Sequence, residues 1–162
     1  MRPRTLDEFL KAARIPYTTF RHAAAYTAQD EAAVSHIPGR SWAKSVVFLA
    51  DDEPIVAVVP APFKVDLERL RAAAGAESVR LVPSEDLPKL YPDCEPGATP
   101  PFGFRYRVFV DRSFVGEPQM VLNAGTHTDA IRMHYADWAE VVHPVIGNFA
   151  NSLIGDSRFF SQ

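Results

Sequence analysis

The sequence predicts an α+β fold with a mixed, curved β-sheet, and three observations carry that prediction. Helical and strand-like patterns are interleaved without the regular strand–helix–strand spacing of a parallel α/β sheet. Two central strand candidates, Val46-Val47-Phe48-Leu49 and Ile55-Val56-Ala57-Val58-Val59, are apolar at successive positions, so both of their faces must be covered. The chain has 162 residues, 47% hydrophobic and 23% charged. That is enough to bury a core without disulfide or metal staples, and residues 1–162 read as a single domain.

Thr5-Leu6-Asp7-Glu8 has the form of a capping box, and Leu6, Phe9, Leu10 and Ala13 follow at helical spacing. Pro16 ends that helix, and Tyr17 to His22 alternates as a short strand. Thr27 can cap a second helix from Ala28 to about His36, stopped by Pro38-Gly39. Ser41 to Pro60 reads as a β-hairpin with Asp51-Asp52-Glu53-Pro54 as its turn. Asp66 to Ala74 is a helix with Gly75 at its C-terminal stop. Val79 to Val82 is a strand, and Ser84 is placed to cap a short helix reaching Leu90. Three further strands are predicted at Arg105 to Asp111, Met120 to Asn123 and Ala130 to His134, then a helix from Asp137 to Val142. The tail, Asn148 to Gln162, carries Phe149, Leu153, Ile154, Phe159 and Phe160. Aromatics left in water are costly, so the tail is expected to dock on the domain or meet a second subunit.

Three stretches look like more than scaffold. Gly97-Ala98-Thr99-Pro100-Pro101-Phe102-Gly103 is a stiff loop, two prolines fixing φ and two glycines opening conformations closed to other residues. It suits a wall that brings backbone close to a ligand, although Gly/Pro clusters are mostly turns. Lys44 opens an apolar strand in Ala43-Lys44-Ser45. A lysine there is usually an edge guard, but the flanking pattern buries both faces and sends the ammonium to the sheet's end or into a pocket. Asn123-Ala124-Gly125-Thr126-His127 runs a strand into a glycine turn. A histidine in that place is ordinarily a hydrogen-bonded structural residue, and its unperturbed pKa of ~6.5 also suits a general base.

Together these stretches resemble the YbaK-like family of free-standing aminoacyl-tRNA editing domains, which also supplies the domain inserted into many bacterial prolyl-tRNA synthetases. The resemblance runs from the first helix to Pro144. It implies a barrel-like sheet with helices outside, and hydrolysis of the ester of a mischarged aminoacyl-tRNA in trans. It implies that Lys44 holds the phosphate or ribose of the 3′-terminal adenosine, a task suited to a compact cation with rotatable donors. Gly97, Ala98, Thr99, Pro100, Pro101 and Phe102 would form a wall of the amino-acid pocket. Gly125 would orient the water through its main chain, and His127 would position substrate. Ser45 stands where some relatives carry Asn, so contacts there are expected to differ. The partner implied is the 3′ acceptor end of an aminoacyl-tRNA, with a synthetase as a further candidate. A binding module without catalysis, using the same pocket, is the alternative reading.

The remaining composition narrows the field. A formal net charge of −3 argues against a DNA-coating protein and for local contact with an RNA end. Candidate cations for that contact are Lys44, Arg40, Arg105 and Arg107; strand alternation puts the last two on one face, which reads as an ordinary solvated sheet face or as a small patch for the acceptor end. Cys94 is the sole cysteine, flanked by Asp93 and Glu95. Negative neighbours lower its thiolate fraction, so it is not expected to be a nucleophile. The histidines are scattered, so neither metal nor cofactor is expected, and no membrane span or secretion signal is legible. A cytoplasmic protein is the expectation; the oligomeric state and the amino acid removed are not legible.

Overall fold

The computed structural model describes residues 6–23, 37–95, 99–102 and 104–152. The predicted helix Ala28–His36, Thr5, Gly97, Ala98, Gly103 and the tail beyond residue 152 lie outside them.

Helix α1, Leu6–Ala13, is amphipathic and sinks Leu10 fully into the core. Strand β1 is Thr18–Arg21. The predicted hairpin is β2, Ala43–Ala50, and β3, Glu53–Pro60, paired from Ala43↔Pro60 to Ala50↔Glu53. Its turn residues Asp51 and Asp52 both have positive φ, 49° and 69°, the geometry that matches the twist of a tight hairpin. The Asp51 carboxylate also accepts the backbone N–H groups of Glu77 and Ser78 at 3.0 Å each. Helix α2, Leu67–Ala74, starts on the Asp66 side chain, which accepts from the Arg69 N–H at 3.0 Å, and stops on Gly75 at φ 65°.

Strand β5, Val79–Leu81, helix α3, Leu87–Leu90, β6, Arg107–Asp111, β7, Met120–Asn123, β8, Asp129–Met133, and helix α4, Tyr135–Val142, follow the predicted order. Two local expectations are corrected. Ser84 caps nothing: it opens a 3-10 turn, Ser84–Asp86, preceded by Pro83 and without a side-chain cap. Arg105 is not in a strand, because Phe104 takes a left-handed φ of 57° and β6 begins two residues later.

Three short strands escape the sequence pattern: β4, Phe63–Val65, β9, Val145–Gly147, and β10, Ala150–Ser152. The start of the tail docks on the domain, one of the two expected outcomes. Phe149 is fully buried, and β10 pairs with β4. Asp111 is the anchor. Its buried carboxylate accepts from the N–H groups of Phe149 and Ala150, 2.8 Å each, and from Ser113 Oγ at 2.6 Å. Burial opposes the charge, but these bonds outweigh it and hold the carboxyl below its ordinary pKa.

The fold is α+β with helices flanking mixed sheets. Among the described residues the strands form a five-stranded sheet, β5-β2-β3-β6-β9, a three-stranded sheet, β1-β8-β7, and the β4–β10 pair. They do not close a barrel. In the large sheet, β3/β6 and β6/β9 are parallel. One of its faces, with Ala43, Val47, Val56 and Val58, packs on Met120, Leu122 and Ile131 beneath α1 and α4. The other, with Phe48, Ile55, Ala57 and Val59, packs on Leu70 of α2 and on Phe149. Both faces of the hairpin are thus covered, which is why its strands are apolar throughout. A parallel bridge between Trp42 and Val121 joins the two larger sheets at the start of β2.

Candidate functional site

The Trp42–Val121 bridge sets the site. Two residues beyond it on each chain segment stand Lys44, in β2, and Asn123, at the end of β7. Asn123 is buried, 4% exposed. Lys44 is half-buried, and its Nζ donates to the Phe63 carbonyl of β4. Its pKa is lowered, first by desolvation and then by the charge of Lys64. Ser45 points the other way. It lies opposite Val58 in the β2–β3 register, and its Oγ is buried with no hydrogen-bond partner.

From Asn123 the chain enters the β7–β8 turn. Gly125 has φ 93°, a conformation L side chains rarely adopt. Its carbonyl accepts the Glu95 N–H at 2.7 Å, and the Glu95 carboxylate accepts the His127 N–H at 3.4 Å. Thr126 holds the rest of the turn. Its Oγ1 donates to Asp129 Oδ2 at 2.7 Å and accepts the N–H groups of Asp129, at 3.0 Å, and Thr128, at 3.3 Å. Asp129 in turn pairs with exposed Arg21 at 3.2 Å. His127 is 9% exposed, and its backbone is fixed by the Glu95 contact.

The proline loop is anchored from below. Trp138 Nε1 donates to the Pro101 carbonyl at 2.9 Å, and the Tyr91 hydroxyl donates to the Phe102 carbonyl at 3.2 Å. Thr99, Pro100 and Pro101 are buried. Phe102 is a core residue: its ring meets Phe9 edge-on at 5.3 Å and stacks beside Phe104. Cys94 sits against the turn, its Sγ 3.5 Å from where a Cβ on Gly125 would stand. Burial, and then Asp93, push its thiol up to about 11, consistent with an inert cysteine.

The predicted cations part company. Arg40 is exposed in the turn just before Trp42, at the Lys44 end of the sheet. Arg107 faces Ile55 in the β3–β6 register, four residues along β3 from the Lys44 partner Val59. Arg105 donates to the Tyr106 hydroxyl at 2.7 Å and lies over its ring. The expectation that both arginines share a strand face with each other fails, because only Arg107 is in the strand.

Reading residues alone gave no role of their own to Asn123, Glu95, Trp138 or the Thr126–Asp129 pair. The last had a signal: Thr-x-x-Asp is a local side-chain-to-backbone pattern. Glu95 and Trp138 had none, since each acts through a partner distant in sequence.

Comparison with known proteins places the chain in a family. Residues 22–141 match the aminoacyl-tRNA editing domain family. Proline–tRNA ligase 1 of Anaeromyxobacter dehalogenans (strain 2CP-C) is 32% identical over 108 residues, 66% of this chain but 18% of the ligase. Proline–tRNA ligase of Anaeromyxobacter sp. (strain K) matches to the same extent. The chain therefore corresponds to under a fifth of those ligases. Among solved structures, a proposed trans-editing enzyme for prolyl tRNA synthetase superposes with TM-score 0.78 at 17% identity, covering 94% of this chain and 99% of that one. A hypothetical protein superposes with TM-score 0.82, also at 17% identity, covering 90% and 99%. At such identities the structures speak for the fold, and the sequence match over most of the chain decides the family: this protein belongs to the aminoacyl-tRNA editing domain family.

Proposed function

We propose that the protein is a deacylase that hydrolyses the ester of a mischarged aminoacyl-tRNA, acting in trans on a small amino acid such as alanine, serine or cysteine, with tRNA-Pro a candidate carrier. The observation that carries this reading is the Gly125 turn: a backbone in a rare conformation, its carbonyl bonded to the Glu95 N–H at the approach to the proline loop, at the end of the strand that the Trp42–Val121 bridge joins to the start of β2.

The chemistry asks little of side chains. An aminoacyl ester is already activated, so orienting a water and polarising the carbonyl suffice. Water oxygen attacks the carbonyl carbon, the bond to the ribose oxygen breaks, and a proton returns to that oxygen; the adjacent ribose hydroxyl lies within reach to relay it. In this reading Lys44 holds the terminal adenosine through phosphate or ribose, main chain at Gly125 orients the water, and His127 positions substrate. Selectivity comes from size. One methylene is worth only ~1–3 kcal/mol in a synthetase pocket, so a second, excluding site is useful.

The test is release of free amino acid from alanyl-tRNA by the purified protein, beside Lys44→Ala. Release by the wild type and its loss in a folded variant support the reading. Tight binding of the charged tRNA without release would instead favour a binding module.

A further inference from the structure

Strand β8 leads away from the Gly125 turn into a groove that the proposed chemistry leaves unused. The groove holds about 280 Å³ and includes Tyr17, Thr18, Gln119, Arg132 and His134 in its lining. Its fixed donor is the Arg132 guanidinium, while the Gln119 amide, the Tyr17 and Thr18 hydroxyls and the His134 ring can each donate or accept. Arg132 is exposed, stands opposite Thr18 across the β1–β8 register and lies 5.6 Å over the Phe20 ring. Among the described residues no carboxylate pairs with it. His134 is fixed by its Nδ1 contact with the Pro118 carbonyl, 2.7 Å, at the N-terminus of α4. Amides of a helix's first turn add partial positive charge there, partly offset by Asp137 in the same turn.

Position supplies the ligand. Arg132 shares a sheet face with Ala130 and Phe20, which pack with Trp42 and Val121 at the Lys44 end. From Asp129 at the turn to Arg132, β8 advances about 10 Å at roughly 3.3 Å per residue, about three phosphates of a stacked strand at roughly 3.4 Å each. An RNA whose terminal ester sits at the turn must lead its phosphates away from it.

We infer that the β1–β8 groove is a second RNA contact, taking backbone phosphates of the acceptor end a few nucleotides before the terminal adenosine. This rests on the aminoacyl-tRNA reading above. It predicts a division of labour: Lys44 and the turn act on the ester, whereas Arg132 contributes to affinity alone.

The experiment is fluorescence anisotropy with a labelled acceptor-stem hairpin ending in its single-stranded 3′ tail, across a salt series. Arg132→Ala is expected to raise Kd about fivefold, Arg132→Glu more, with a salt slope shallower by ~0.7–0.9 and an unchanged thermal midpoint. Arg80→Ala, exposed on the far edge strand β5, is the control and should leave Kd unchanged. With charged tRNA, KM should rise in the Arg132 variants while kcat stays. Unchanged Kd in both Arg132 variants overturns the inference, whether or not the protein deacylates. Weakened binding in a protein that releases no amino acid keeps the groove and removes the chemistry. Binding of inorganic phosphate at Arg132 with no affinity for the hairpin would assign the groove to a free anion and overturn it as well.

Discussion

Glu95 donates its backbone N–H to the carbonyl of Gly125 across 2.7 Å, tying the approach to the proline loop to the β7–β8 turn. The two segments are thirty residues apart in the chain, yet one main-chain bond makes them a unit. A Cβ on Gly125 would meet Cys94 Sγ at 3.5 Å, ordinary contact, so the case for glycine is its φ of 93° and not lack of space. Gly125→Ala should therefore cost about 1–2 kcal/mol of stability through the backbone alone. The thermal midpoint should fall by roughly 2–8 °C, and deacylation should fall more than tenfold. A variant with wild-type melting and wild-type rate would show that the turn's conformation does not matter.

Lys44 should show itself in pH dependence. Its folded pKa is lowered by desolvation and then by Lys64, while an unfolded lysine keeps its proton to about 10.4. Between those values the unfolded chain binds more protons, so stability rises with pH through that window. Lys44→Met should abolish the rise, as urea titrations between neutral and alkaline pH would report. Activity runs the opposite way, because the ammonium is the working form: the rate should fall as pH climbs through the lowered value. Lys64→Ala removes the repelling charge and should move that falling limb to higher pH. An unmoved limb would separate the rate from Lys44.

Cys94→Ser should keep its activity within about tenfold, ~1.4 kcal/mol of barrier. Burial and Asp93 hold the thiol at about 11, which leaves almost no thiolate at neutral pH. A larger loss of rate in the folded variant would return the thiol to the mechanism.

Trp138 carries the loop from beneath. Trp138→Phe keeps a ring in the core but deletes the bond to the Pro101 carbonyl, at a cost of about 1 kcal/mol. The loosened wall should admit larger side chains, so the ratio of alanyl to prolyl ester hydrolysis should drop. An unchanged ratio would remove the loop from selectivity.

The legible parts of this fold were those with local causes. The hairpin, α2 with its Gly75 stop, and Met120–Asn123 follow from apolar pattern and turn chemistry. Strands β4, β9 and β10 did not, because each has only three residues and owes its place to partners far along the chain, above all Asp111. The site divides the same way. Lys44 and Gly125 stand out as a cation and a glycine at strand ends. Asn123 became visible only when the Trp42–Val121 bridge set its strand beside β2. Phe102 read as a pocket wall, whereas its ring completes an aromatic core with Phe9 and Phe104, a packing choice that no local pattern encodes.

The central claim is tested most directly by initial rates of hydrolysis for alanyl, seryl, cysteinyl and prolyl esters of one tRNA. Thr99, Pro100 and Pro101 are buried, and Trp138 fixes the segment, so the account predicts fastest release of alanine, with serine and cysteine following and proline slowest. Prolyl ester cleaved as fast as alanyl would contradict the small, stiff pocket, and no release from any of the four would contradict the deacylase itself.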